Sequence, residues 1–221
     1  MTRAWVFFVG AAWLLPWPAT AQSEAIEVDL GKLAEGKGWK LANRAVMAVD
    51  EDGKKAVRLD ERPGDGLAWL EGFQFSNGVI EIDLKGKNVL QRSFVGVAFH
   101  GVDEKTYEAV YFRPFNFKNP DAERRAHAVQ YISHPAHSWP KLRSEHPGVY
   151  EKPVDPVPDP DGWFHARIVV QKPKVSVFVD DAKQPSLVVE ALTDRASGWI
   201  GLWVGNTSGG AFANLRVLPF R

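Results

Sequence analysis

The chain has 221 residues, with 27 basic and 27 acidic side chains and no cysteine. The absence of thiols excludes disulfides, thiolate metal sites, a thiol nucleophile and a lipid-modified cysteine at a cleavage point. The balanced charge gives no electrostatic footprint for nucleic acid or for an anionic membrane surface.

The first residues read as a secretory signal. Arg3 supplies a positive start, Ala4 to Leu15 an apolar run, Pro16 and Pro18 a break, and Ala19-Thr20-Ala21 a small-residue cleavage pattern. The run is shorter than the roughly 20 residues a bilayer span needs. The expectation is a signal peptide over 1–21 and a secreted or periplasmic mature chain, 22–221, forming one domain without a membrane span.

From there the sequence predicts strand after strand. A short helix is expected around Leu30–Glu35. Ala45–Val49 and Lys55–Leu59 flank the turn Asp50-Glu51-Asp52-Gly53. Gly78–Lys85 alternates, with Ile80, Ile82 and Leu84 on one face and Glu81 and Asp83 on the other. In Phe94–His100, Val95, Val97 and Phe99 point inward, and Gly96 and Ala98 leave the opposite face low. Tyr107–Phe115, His127–Ser133, Phe164–Gln171, Lys174–Asp180, Ser186–Leu192, Gly198–Gly205 and Ala211–Leu218 follow. Short alternating runs punctuated by Gly, Pro, Asn and Asp predict an all-β, two-sheet antiparallel sandwich. One long connection, at about 133–162, is rich in Pro, His and aromatic residues. Its Trp139, Leu142, Val149 and Tyr150 argue for an ordered loop laid over a sheet face, either as a lid or as a fixed plug.

Five phrases, "FSNGVIEIDLKG" (75–86), "SFVGVAFHG" (93–101), "YEAVYFRPFNF" (107–117), "GWFHARIVVQKPKVSVFVDD" (162–181) and "GWIGLWVGNTSGGAFANLRVLP" (198–219), carry a family resemblance. They resemble the concanavalin A-like lectin/glucanase superfamily, in particular the laminin-G-like and 3-keto-disaccharide hydrolase-type domains of bacterial exported proteins. The resemblance implies a jelly roll with one concave sheet, and ligands on that face or at its rim. It implies carbohydrate as partner and does not choose between lectin, hydrolase and lyase.

The candidate groove is built from strand alternation. Tyr107, Ala109, Tyr111 and Arg113 share a face opposite Val110 and Phe112. An arginine beside tyrosines makes a clamp for sugar hydroxyls or a carboxylate, and the alternative is a structural ion pair of Arg113 with Glu108 or Glu81. His100, Tyr111, Arg113, Gln130, Trp203 and Asn206 are expected to line the groove, roofed by Trp139, Arg143 and Tyr150. Glu108 and His100 are the acid/base candidates. Glu81-Ile82-Asp83 echoes the Glu-x-Asp-x-x-Glu strand of retaining glucanases in that superfamily, but Gly86 stands where the third acid belongs. His134-x-x-His137, with His127 and His146, offers imidazoles in a loop of undefined geometry. The resemblance also makes calcium possible, with Asp50–Gly53 and Asp159–Gly162 as acidic turns but no assigned site. Three readings stand: a glycan-binding domain, a glycoside-acting hydrolase, and a structural or protein-interaction sandwich.

Overall fold

The structure, a computed structural model, describes residues 24–220, so the expected signal peptide lies outside the described residues. In chain order the elements are β1 (Ile26–Glu27), α1 (Gly31–Ala34), β2 (Trp39–Ala42), β3 (Val46–Glu51), β4 (Lys54–Leu59), β5 (Gly66–Leu70), β6 (Gly78–Lys85), β7 (Val95–Gly101) and β8 (Tyr107–Phe112). Then come α2 (Pro114–Phe117), α3 (Ala122–Arg125), β9 (Val129–His134), α4 (Trp139–Glu145), β10 (Glu151–Lys152), β11 (Phe164–Gln171), β12 (Lys174–Val179), β13 (Leu187–Glu190), β14 (Trp199–Val204) and β15 (Gly210–Pro219). Among the described residues no helix is long and apolar enough to cross a membrane.

The strands form two antiparallel sheets. The eight-stranded sheet runs β13-β12-β11-β6-β15-β4-β3, with β1 also on β15, and the seven-stranded sheet runs β10-β9-β8-β7-β14-β5-β2. The all-β sandwich expected from period-two patterning is therefore the observed architecture. Ile80, Ile82 and Leu84 of β6 pack with Ala166, Ile168 and Phe164 of β11, all fully or nearly fully buried. Val95, Val97 and Phe99 of β7 face the same interior with Val110 and Phe112 of β8. The Phe112 and Phe164 rings meet edge to face at 5.0 Å and join the two layers. Each such side chain contributes on the order of 1.5–3 kcal/mol of burial.

Four short strands, β1, β2, β5 and β10, were not expected. Residues 66–69 of β5 are buried on both faces and show no alternation for a sequence reading to find. The segment expected as strand to Phe115 turns at Arg113-Pro114 into α2, because proline supplies no ladder N–H but suits a first helical turn. The long connection at 133–162 is ordered and contains α4 and β10. Leu142 and Val154 anchor it in the core, and Tyr150 is 9% exposed, while Trp139 and Val149 stay exposed.

The outer face of the eight-stranded sheet settles the acidic motif. Glu81 pairs with Arg216 at 2.9 Å across the strand. Asp83 accepts from His165 Nδ1 (2.8 Å), Lys54 Nζ (2.5 Å) and Asn214 Nδ2 (2.7 Å). Both acids are engaged in cross-strand pairing, away from the face that carries the candidate groove. Burial raises the Asp83 carboxyl, but these three donors outweigh it and hold the group at about 2. The same hydrogen bond raises His165.

The sign of each shift fixes a stability profile. The Asp83 contribution is complete above its unfolded value and fades as pH falls through 4 toward 2. The His165 contribution is complete below 6.5 and fades as pH rises through its raised value. Asp83→Asn is expected to lower stability by on the order of 1–2 kcal/mol between pH 5 and 6, after allowance for the partly exposed partners, and to flatten the acid limb of unfolding. Urea denaturation at pH 3, 5.5 and 8 measures this; an equal loss at pH 3 and pH 5.5 contradicts it.

Candidate functional site

The chemically richest place is one rim of the seven-stranded sheet, at the β8/β9 end. It gathers the entry to β7 (Phe94), the exit from β8 (Arg113), the entry to β9 (His127), the exit from β14 (Asn206) and, from α4, Trp139 at its start and Arg143 in its last turn. These residues border a cleft of about 470 Å³, closed on the far side by Asn116 of α2 and by Asp121, Glu123 and Arg124 at α3. A second chamber of about 250 Å³ shares Phe94, Trp139 and Asn206 with it as lining.

Glu151, which sequence reasoning missed, organises the floor. The short strand β10 sets it opposite Gln130 on β9, 2% exposed. Arg143 grips its carboxylate with a two-pronged fork, Nε to Oε1 at 2.8 Å and Nη2 to Oε2 at 2.7 Å. Arg113 Nη1 lies 3.6 Å from Oε2. His127 Nδ1 lies 2.9 Å from Oε1, although its direction gives it no proper hydrogen bond. Arg113 is pinned further: Nη2 donates to Gln130 Oε1 (2.5 Å) and to the Tyr111 hydroxyl (2.7 Å), and Nη1 donates to the His127 carbonyl (2.7 Å). Its ion-pair partner is thus Glu151, not Glu108 or Glu81. Burial lowers the Arg113 pKa and raises the Tyr111 hydroxyl to about 12. The Glu151 hydrogen bonds raise Arg143. Burial also depresses His127 below its ordinary value, against the pull of Glu151. No periodicity could reveal Glu151, since it lies in the irregular connection; only the Arg-rich surroundings call for such a carboxylate.

Trp139 stands above this floor. Its indole is 45% exposed, with the Arg143 guanidinium 4.9 Å and that of Arg113 6.0 Å from the ring centre. Two buried polar atoms beneath, Asn116 Oδ1 and Gln130 Nε2, have no hydrogen-bond partner. An ordered water is a usual partner of such groups.

Of the expected groove residues, Tyr111, Arg113, Trp139, Arg143, Trp203 and Asn206 border the two chambers, and Gln130 is buried directly beneath them. His100 and Tyr150 are elsewhere, and so is the acid/base candidate Glu108. His100 has a positive φ of 48° next to a bulge against β14, which turns its side chain to the interior of the sandwich. There its Nδ1 lies 2.8 Å from Glu108 Oε1 and its Nε2 2.6 Å from the Ser76 carbonyl, and both residues are fully buried. Glu108 has the same strand parity as Val110 and Phe112, so it also points inward. It takes the Tyr131 hydroxyl at 2.5 Å and Lys172 at 3.3 Å. Burial raises this carboxyl, and the donors from His100 and Tyr131 outweigh that and hold it below its ordinary value. Neither His100 nor Glu108 reaches the cleft. Tyr150 packs on Tyr131 and His146, on the interior side, and does not roof the groove.

The expected open space over Gly96 and Ala98 is filled as well. A side chain at Gly96 would meet Tyr111 Cβ at 2.7 Å, because Tyr111 lies across that strand and stacks at 4.7 Å on Trp203. Trp69, Tyr107 and Trp199 pave the neighbouring surface.

No group of three or more metal-ligating side chains converges among the described residues. His134 packs on Tyr107 and His146 on Tyr150, so the loop histidines are spread apart. In the acidic turns Asp52 pairs with Lys85, Glu51 with Arg58, and Asp161 caps the Asn88 N–H.

Solved structures share the fold at low identity. The carbohydrate-binding module CBM66 from Bacillus subtilis matches with a TM-score of 0.56 and 15% identity over 81% of this chain and 94% of its own. The exoplasmic/lumenal domain of VIP36, in a form bound to Ca2+ and Man3GlcNAc, matches with a TM-score of 0.53 and 11% identity over 83% and 84%. A Bacillus subtilis protein with a galectin-like fold gives 0.53 and 13% over 81% and 88%. No curated protein matches in sequence. The model of one family, described as the 3-keto-alpha-glucoside-1,2-lyase-like domain, matches residues 29–218. That stretch runs from the approach to α1 through almost all of β15, and the chain belongs to this 3-keto-alpha-glucoside-1,2-lyase-like domain family.

Proposed function

We propose that the protein is an exported carbohydrate-binding sandwich that holds a sugar in the cleft beneath Trp139. One observation carries this reading: an exposed indole stands over a floor of fixed guanidinium, amide and hydroxyl groups. A sugar ring has an apolar C–H face and a polar rim, and the site offers a partner for each. The three hydrogen bonds on Arg113 lock its fork before any ligand arrives, which keeps the ordering cost of binding low. Arg113, Arg124 and Arg143 at the border are balanced by Asp121 and Glu123 there and by the buried Glu151 that Arg143 grips, which suits a neutral ligand. Fold likeness to a carbohydrate-binding module is consistent with this, and the Arg3 to Ala21 segment supports export.

Trp139→Ala is expected to weaken sugar binding by about tenfold or more, as loss of a stacking ring should. Its melting temperature should stay near that of the parent, since the indole is half out of the protein. Calorimetric titration with a panel of glucosides and 3-keto-glucosides reads the first effect and thermal unfolding the second. Unchanged affinity in the variant rules out the cleft.

Family membership favours a second reading, in which the same cleft performs chemistry. A 1,2-lyase acting on a 3-keto-α-glucoside removes the C2 proton, which the neighbouring ketone makes acidic, and breaks the bond from C1 to the leaving oxygen. The leaving group then takes up a proton. Within the cleft, His127 is the group suited to accept the C2 proton, because burial favours its neutral form near pH 7. Arg113 and Arg143 border the cleft, and in this reading their charge would stabilise the enolate oxygen as it develops. His127→Gln is expected to lower kcat by roughly 100-fold or more with KM little changed. The parent rate should hold through pH 7 and fall only below about 6.5, as the imidazole gains its proton. A pH–rate profile measured on a 3-keto-α-glucoside checks both; an unaltered kcat in the variant removes His127 from the chemistry.

A further inference from the structure

We infer that the smaller chamber beside the cleft receives an apolar, flat aglycone, so that the ligand class is an aryl or similarly apolar α-glucoside in preference to a disaccharide. The inference rests on the sugar-binding reading of the cleft.

The two chambers differ in chemistry while sharing one wall. The 470 Å³ cleft carries Arg113, Arg124, Arg143, Asp121 and Glu123 at its border. The 250 Å³ chamber is walled chiefly by Tyr111, Ile132, Trp139, Pro140 and Trp203. Two of its aromatic residues, Trp203 and Tyr111, have spent their polar atoms elsewhere. Trp203 Nε1 donates to the Tyr107 hydroxyl at 3.1 Å, and the Tyr111 hydroxyl is held by Arg113 and Gln130. They therefore present ring carbon to the chamber, with the Tyr111 and Trp203 rings 4.7 Å apart and tilted by 34°.

At the far end stand Asp65 and His134. Asp65 accepts the Tyr107 hydroxyl at 3.1 Å, and burial moves both Asp65 and His134 toward their neutral forms. A second sugar placed here would have few partners for its hydroxyls, and each unmet one is costly. A flat carbon ring would lose nothing and would gain contact with rings on several sides. Trp139 borders both chambers, so a glucose unit packed under it with C1 toward the smaller one would send its aglycone along the indole into the apolar space.

The experiment compares three ligands on the mature protein by calorimetric titration: methyl 3-keto-α-glucoside, 4-nitrophenyl 3-keto-α-glucoside and a 3-keto disaccharide. The aryl glucoside should bind roughly tenfold more tightly than the methyl glucoside, the gain expected from burying one ring, and more tightly than the disaccharide. Ser138 borders the chamber, and Ser138→Phe should fill it and collapse the aryl-to-methyl ratio to near one. The comparison of ligands on the parent protein stands whether or not that variant folds. Equal affinity for the aryl and methyl glucosides, or tighter binding of the disaccharide, overturns the inference and leaves the sugar-binding reading intact. Failure of all three to bind removes that reading and the inference together.

Discussion

A single buried carboxylate, Glu151, organises the rim at the β8/β9 end of the seven-stranded sheet. It is 2% exposed and stands against Arg143, Arg113 and His127. A charge taken out of water is tolerable only when paired and hydrogen-bonded. Satisfying Glu151 therefore fixes three things at once: the two-residue strand β10 that presents it, the helix α4 that answers with Arg143, and the exit of β8 where Arg113 lies. The indole of Trp139 inherits its place from this arrangement, since α4 also carries Arg143. The connection at 133–162 has a few apolar anchors of its own, and the ion-pair cluster adds the directional restraint that apolar contacts lack.

The sandwich itself was legible because half-buried strands alternate. β6 and β11 match their expected bounds residue for residue, and the helix expected near Leu30–Glu35 is α1. β2 and β5 were hidden because one is four residues long and the other is buried on both faces. Parity also assigned the outer face correctly for Tyr111, Arg113 and Trp203. It failed at His100, where the left-handed backbone conformation beside a bulge reverses the side chain, an irregularity that no alternation encodes. For Glu108 parity was right and chemical expectation wrong: a glutamate in phase with Val110 and Phe112 goes inward with them. The filling of the space above Gly96 by Tyr111 is a three-dimensional consequence of strand pairing, since that glycine and tyrosine are partners in the β7/β8 register.

The interior couple of His100 and Glu108 illustrates a separate use of polarity. Glu108 collects His100, Tyr131 and Lys172, while Tyr131 accepts the Leu192 N–H and Lys172 donates to the carbonyls of Thr193 and Arg195. The network thus ties β7, β8 and β9 to the segments after β11 and β13, across the mouth of the sandwich. Networks of this sort specify one arrangement of layers where hydrocarbon alone would accept several. The outer face of the eight-stranded sheet does similar work in the open, with Asp83 joining β4, β11 and β15.

Asp65, Phe94, Arg113, His127, Trp139 and Asn206 lie far apart along the chain yet meet at one end of the strands. The framework and the recognition surface are consequently separable inheritances. Exchange of the stretch between β9 and β11 would re-dress the cleft with new chemistry and replace the edge strand β10, while the other fourteen strands carried on as before. A scaffold of this build lends itself to diversification by cassette, in which descendants keep the girders and change the furniture.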